Sequence, residues 1–385
     1  MIRFPLKALA LSLCVAGSTY SAGAWADIKV GFNVPLTGFA AFDGKSALHG
    51  AELAVARANA QGGINGEKIE LIVYDDQASA KEAVPVSTRL IERDKVVGAV
   101  SGSYSAASRA AAGIFQSAGV PYVAAYTIDP SVTQAGDYVF RVTMMGEVQG
   151  KGGAKLINDL GAKRVTLVTM KNDFGQALSA GFKEVAPKFD LDIVSEYEYG
   201  LADRQFGPLV AKIKADNPEA IYASGYYFTA GPFVSQLRAA GVTAPVIGQQ
   251  GFDGDKFIEI AGPAAEGVII TTTLDRDSQV PVTKAFLEDF QKAAGHGADM
   301  VGAAAYSAMS ILLDGLRQTG GKGGAELRDV IAKGTYETPS GKLTFNDLHE
   351  VDTDIQVQVV KDKAWRHHST ISDPVLLAAP TRASK

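Results

Sequence analysis

The chain has 385 residues, with 42 acidic side chains against 37 basic ones and a single cysteine. That balance lacks the basic footprint nucleic-acid binding needs. Cys14 lies in a leader that would be removed, so disulfides, cysteine-ligated zinc and a cysteine nucleophile are excluded from the mature chain.

Residues 1 to 26 form that leader. Arg3 and Lys7 open it, "ALALSLCVAG" (8 to 17) is an apolar run too short to span a bilayer, and Ala24-Trp25-Ala26 is a small-x-small cleavage site. This is the pattern of a secretory signal peptide cut before Asp27, and Leu-Ser-Leu before Cys14 does not suit a lipoprotein signal. The mature chain then carries 35 basic against 42 acidic residues, and no later run is apolar enough to span a membrane. About 360 residues without disulfides suggest two lobes, each with its own core.

"IKVGFNV" (28 to 34) reads as a strand, 45 to 61 as a helix stopped by Gly62-Gly63, and "KIELIVYDD" (68 to 76) as a second strand. A helix at 83 to 94, a strand at 95 to 100, a helix at 106 to 119 and a strand at 120 to 126 follow. "DYVFRVTMMGEVQG" (137 to 150) reads as a crossover. The rhythm then restarts, with strands at 163 to 170, 191 to 199, 219 to 226, 244 to 250 and 266 to 273 and helices at about 176 to 189, 203 to 216 and 230 to 240. Residues 283 to 335 read as mainly helical, and "GKLTFND" (341 to 347) with "DIQVQVVKDKAW" (354 to 365) as a terminal strand pair. The fold class is α/β, with two doubly wound parallel-sheet units facing a common cleft. Ligands of such sheets bind beyond the carboxyl ends of the strands.

Motifs for chemistry are weak. In "QGGINGEKIELIVYDD" (61 to 76) the glycines follow a helix rather than the first strand, so they are a helix stop and a turn, with Asp75 and Asp76 solvated or capping the next segment. "GFAAFDGKS" (38 to 46) has five residues between its glycines where a phosphate loop has four, and reads as a loop with a Lys-Ser helix start. There is no Gly-x-Ser-x-Gly elbow, and none of the five histidines has a partner at metal-ligand spacing. No cofactor or metal is implied. A cleft hydrolase or NTPase is the weaker alternative.

Hydroxyl and aromatic residues at the strand ends remain. In "SGSYSAAS" (101 to 108) Ser105 could cap a helix whose free amides would also hold a carboxylate. Tyr104, Tyr126 and Thr127 follow the first unit's strands, with Phe42 on its first loop; Phe174, Tyr226, Tyr227 and Gln250 follow the second unit's strands. Such a site suits a small ligand with an apolar body and one charged end.

The stretch "DIKVGFNVPLTGFAAFDGKSALHGAELAVARANAQGGINGEKIELIVYDDQ" (27 to 77), with "AGVPYVAAYTIDPSVT", "NDFGQ", "LRAAGV" and "IAGPAAEGVIITT", resembles periplasmic solute-binding proteins of the branched-chain amino acid type, which serve ABC importers. The resemblance implies the type I binding-protein fold with a three-strand hinge. Residues 27 to 145 plus 275 to 345 would form the N-terminal lobe, and 146 to 274 plus 346 to 385 the C-terminal lobe. It also implies a periplasmic location, an ABC transporter membrane permease as partner, and no catalysis; a ligand-sensing receptor subunit is the alternative use of the fold. Residue by residue, the carboxylate-binding serine falls on Ser105 and backbone contacts near Tyr126 and Ile128. Aromatic contacts fall on Phe42, Phe174 and Tyr226. Ile128 replaces a hydroxyl residue, and Gln250 replaces the acid that meets a ligand ammonium. Gln250 therefore favours an organic acid, plausibly aromatic, or an amide over hydrophobic and branched-chain amino acids.

Overall fold

The structure, a computed structural model, describes residues 27–382; the leader at 1–26 lies outside the described residues. The first unit runs β1 (Ile28–Val34), α1 (Ala41–Ala60), β2 (Ile69–Asp75), α2 (Ala80–Thr88), β3 (Gly98–Ser101), α3 (Ser105–Ala118), β4 (Tyr122–Ala124) and β5 (Val139–Arg141). Its strands form a parallel sheet in the order β2-β1-β3-β4-β5. The inner strands β3 and β4 are buried at every residue, as strands covered by helices on both faces must be.

The second unit runs α4 (Gly146–Asp159), β6 (Arg164–Met170), α5 (Asp173–Val185), β7 (Asp192–Tyr199), α6 (Gly207–Asp216), β8 (Ala220–Ala223), α7 (Tyr227–Ala239), β9 (Val246–Gln249), α8 (Asp255–Ala261) and β10 (Ile269–Thr272). The chain then returns through α9 (Pro281–Ala294), α10 (Met300–Gln318) and α11 (Gly324–Lys333), with α10 lying along α1 and against β3. It ends in β11 (Thr335–Thr338), β12 (Gly341–Thr344), β13 (Ile355–Lys361) and β14 (Ala364–Ile371). The second sheet has the order β14-β13-β10-β9-β8-β6-β7, with β13 antiparallel to both neighbours.

Three expectations are corrected. β12 pairs with β11 in a hairpin, and β13 pairs with β10 and β14, so 341–347 and 354–365 are not partners. Ile355, Val357, Gln358 and Val360 are buried on the two faces of β13, in keeping with its place inside the sheet rather than at its edge. The segment 137–150 is more than a crossover, because it contains β5 and the start of α4. Lastly, α1 begins at Ala41 rather than at the Lys-Ser pair. Gly44 is not a loop glycine: it lies in the first turns of α1, where a Cβ would come within 1.8 Å of the Pro35 carbonyl oxygen.

α1 and α10 approach at paired glycines, since a Cβ on Gly50 would lie 2.1 Å from the Gly302 carbonyl oxygen. Their contact brings the N-terminus of α10 to the cleft. In a sheet of order β2-β1-β3 the connections leave in opposite directions from β1 and β3, which opens a crevice at their carboxyl ends. The second sheet repeats this at β6 and β8.

Candidate functional site

On the first unit's side, Tyr104 is the residue before α3 and Ser105 its first residue; no side chain caps this helix. The expected capping role of Ser105 is therefore not seen. Its hydroxyl oxygen instead accepts a hydrogen bond from Thr127 Oγ1 (2.9 Å), leaving two hydroxyls beside the first-turn amides. Asp76, read from sequence as solvated or capping, is fully buried. It accepts from Asn33 Nδ2 (2.7 Å) and Ser103 Oγ (2.9 Å), and so ties the ends of β1 and β2 to the segment that enters α3. Tyr126 donates to the Gly102 carbonyl oxygen (2.5 Å), which fixes its ring against the same turn.

On the second unit's side, Asn172 caps α5 by accepting from the Gly175 amide (2.9 Å) and so sets Phe174 on the first turn. The Tyr226 amide donates to Thr229 Oγ1 (3.1 Å) at the start of α7. The Tyr226 ring stacks on Phe174 and, across the cleft, on Tyr104, with centroids 4.7 and 4.3 Å apart. Gln250 also reaches across. Its Nε2 donates to the Tyr126 carbonyl oxygen (2.9 Å), while Oε1 lies 3.4 Å from the Thr143 hydroxyl.

Tyr104, Ser105, Tyr126, Thr127, Phe174, Tyr226 and Gln250 thus line one gap between the lobes, joined by Asp43, Gly251, Met300 and Val301. The gap's free volume is only ≈ 20 Å³. That is room for about one or two waters, so the lobes stand closed and a larger solute needs them to part. Beyond the Tyr104–Tyr226 pair lies an outer recess of ≈ 150 Å³ by the same measure, sharing Tyr104, Ser105, Phe174 and Tyr226 and opening towards Phe39, Asn172 and Leu201.

Three expected residues, Ile128, Phe42 and Tyr227, lie outside this lining. Ile128 is fully buried and its side chain packs over Gly146 at the start of α4, while its carbonyl accepts from the Gly146 amide (2.9 Å). Phe42 sets its ring edge-on to Tyr227 (5.5 Å) and against His296 (6.4 Å), behind the gap's wall. A larger cavity, ≈ 400 Å³, opens beside the crossover segments at Met145 and His349. Its acidic groups already have partners: Glu350 with Arg141, Asp137 with Arg328, and Asp347 with the Arg382 amide. Among the described residues no cluster of side chains could hold a metal ion.

Residues 27–364 match the family described as periplasmic binding protein. The chain belongs to that family. This periplasmic binding protein is 29% identical over 372 residues to a protein of Pseudomonas aeruginosa named "Amino acid binding protein", covering 96% of this chain and 98% of the relative. It is 28% identical to the Leu/Ile/Val-binding protein of Escherichia coli K12, over 89% and 92% of the two chains. Among solved structures it is similar to the branched-chain amino acid transporter substrate binding protein LivJ of Streptococcus pneumoniae in complex with isoleucine. That likeness has a TM-score of 0.85 and 27% identity, covering 90% of this chain and 99% of the other. Its two lobes are those of the type I binding-protein fold.

The cleft of this binding protein also holds an ionisable group that the sequence reading passed over. Asp43, third residue of α1, is 5% exposed. Among the described residues it accepts one hydrogen bond, from the Tyr104 hydroxyl (2.7 Å). Burial pushes its pKa up to about 8 against that hydrogen bond, and the nearby Asp299 and Asp253 add to the rise. Burial likewise pushes Tyr104, Tyr126 and Tyr226 above their ordinary range, so all three stay protonated hydrogen-bond donors. The only sequence signal for Asp43 is an acid inside the otherwise uncharged "GFAAFDG".

Proposed function

We propose that the protein is an extracytoplasmic solute-binding protein of an ABC importer. It takes a small carboxylate-bearing solute between its lobes, closes on it, and presents the closed form to a membrane permease. The observation that carries this reading is the uncapped start of α3, with Ser105 and Thr127 beside it, facing an aromatic wall from the other lobe. A helix start with free amides and partial positive charge favours a carboxylate, and the rings offer an apolar body its surface. The Leu/Ile/Val-binding relative and the isoleucine complex support solutes of the hydrophobic amino acid class.

The reading includes export by the leader at 1–26 and a periplasmic location. It also takes residues 27–145 plus 275–345 as one lobe and 146–274 plus 346–385 as the other, supported by α10 packing on α1 and by β13 joining the second sheet. It involves no catalysis, and among the described residues no histidine or lysine lines the gap to activate Ser105. A ligand that prefers the closed state shifts the lobes towards it.

The test is calorimetry on the exported protein with leucine, isoleucine, valine, benzoate and 4-hydroxybenzoate, paired with small-angle scattering. At least one should bind at micromolar concentration or tighter and reduce the radius of gyration. Silence from every member in both measurements sinks the reading.

A further inference from the structure

Building on the solute-capture reading, we infer that Asp43 is the counter-charge for a cationic nitrogen on the ligand, so that the cleft selects small zwitterions. The anionic end lies against Ser105, Thr127 and the first turn of α3, and the cationic end against Asp43 and the ring faces around it.

Four observations converge. Asp43 lines the same gap as Ser105 and Thr127, so one small molecule can touch both ends. Its carboxyl is nine-tenths buried yet has a single hydrogen-bond partner among the described residues, Tyr104, although a carboxylate offers about four acceptor positions. Burial without a cation beside it keeps the ligand-free carboxyl protonated, and a ligand cation is what lets it ionise in place. Arg276 does not serve it, being held by Asp253 and by the Ala298 carbonyl.

The remaining lining points the same way. Among the described residues no lysine, arginine or histidine lines the gap, so a purely anionic ligand would meet Asp43 with no fixed base to offset it. Tyr104, Tyr126, Tyr226 and Phe174 all border it, and aromatic faces attract cations. Gln250, whose neutral amide favoured an organic acid in the sequence, spends that amide on Tyr126 and Thr143. The acid for a cation is present after all, but it comes from α1 of the opposite lobe.

Matched probes test this on the full mature protein: L-leucine against 4-methylpentanoate, which lacks only the amino group, and glycine betaine against benzoate. Wild type is expected to bind leucine or glycine betaine at least 30-fold more tightly than the cation-free acids, about the size of a buried charge-pair loss. The leucine arm reports a primary ammonium and the betaine arm a quaternary one. Asp43→Asn should abolish that preference, chiefly by weakening leucine or glycine betaine at least 30-fold. Removing a desolvated carboxyl should keep the variant folded, which its thermal melt verifies, and Tyr104→Phe, which frees Asp43 from its one donor, should weaken the preference less. Equal binding of 4-methylpentanoate and leucine, or a D43N variant with its preference intact, overturns the role of Asp43 and leaves solute capture standing. No binding of any probe overturns solute capture itself.

Discussion

Tyr104 of one lobe and Tyr226 of the other stack ring on ring across the cleft, with centroids 4.3 Å apart and planes 8° from parallel. Both rings, like Ser105, border the inner gap and the outer recess, whereas Asp43 lines the inner gap and not the recess, so the stacked rings act as a gate on the way to Asp43. Tyr226→Ala removes this stack, the one that spans the cleft. At about 0.5–1.5 kcal/mol for one aromatic pair, the closed-to-open ratio should fall roughly 2- to 10-fold. Small-angle scattering of the ligand-free variant should give a larger radius of gyration than wild type; superimposable curves would contradict the gate.

The pH dependence follows from Asp43. Its folded-state pKa of about 8 lies above the ordinary aspartate value, so between about pH 4 and pH 8 the folded chain holds a proton that the unfolded chain has lost. This group's contribution is therefore fully present at low pH and declines as pH rises, by up to about 1.4 kcal/mol per unit. Comparing ligand-free wild type with Asp43→Asn isolates it from the other carboxylates, including the neighbouring Asp253 and Asp299, and from Tyr104, Tyr126, Tyr226 and Tyr227. The melting-temperature gap between variant and wild type should widen in favour of the variant from pH 5 to pH 8. A constant gap would show that Asp43 is ionised in the folded chain.

Much of this arrangement can be read without coordinates, because strand ends and helix starts are marked by local chemistry. Ser105, Tyr126, Phe174 and Tyr226 stand directly after apolar runs, and the structure brings them to one gap. What escapes is decided by long-range packing. Asp76 looks like a surface acid until Asn33 and Ser103, 43 and 27 residues away, are folded onto it. Gly44 looks like a loop residue because nothing nearby announces that Pro35 crosses so closely, and without that the helix carrying Asp43 is read four residues too late. Ile128 has the sequence position of a ligand contact, but its branched chain finds a deeper partner in Gly146 at the next crossover.

Charge contributes less to closure than the rings do. Arg109 of α3 reaches Asp173 at the start of α5 (2.8 Å) and Asp129 of its own lobe (3.5 Å), forming an ion pair across the cleft mouth with Arg109 48% exposed. Such a pair contributes at most about 1 kcal/mol and is screened by salt. Arg109→Ala should expand the protein less than Tyr226→Ala does, and 0.5 M salt should abolish the difference from wild type. An equal or greater expansion in scattering would assign closure to the ion pair.

Arg141 and Glu350 give the opposite case, a pair with almost no access to water. Arg141 lies on β5 just before one crossover and Glu350 on the segment leading back to β13, with side chains 0% and 2% exposed. Arg141 Nε donates to Glu350 Oε2 (2.8 Å), its Nη1 to the Asp129 carbonyl (2.7 Å), and its Nη2 also meets Glu350. Thr133 adds a further donor to the same carboxylate. Glu350→Gln leaves the guanidinium buried without its counter-charge and should cost about 3–5 kcal/mol in urea unfolding. Replacing both partners together, Arg141→Met with Glu350→Leu, removes both charges from the interior and should restore more than half of that loss. Neither position lines the solute gap, so solute affinity in the double variant should stay near wild type. If the double variant unfolds as readily as Glu350→Gln alone, packing around the crossover rather than the stranded charge is what these residues supply.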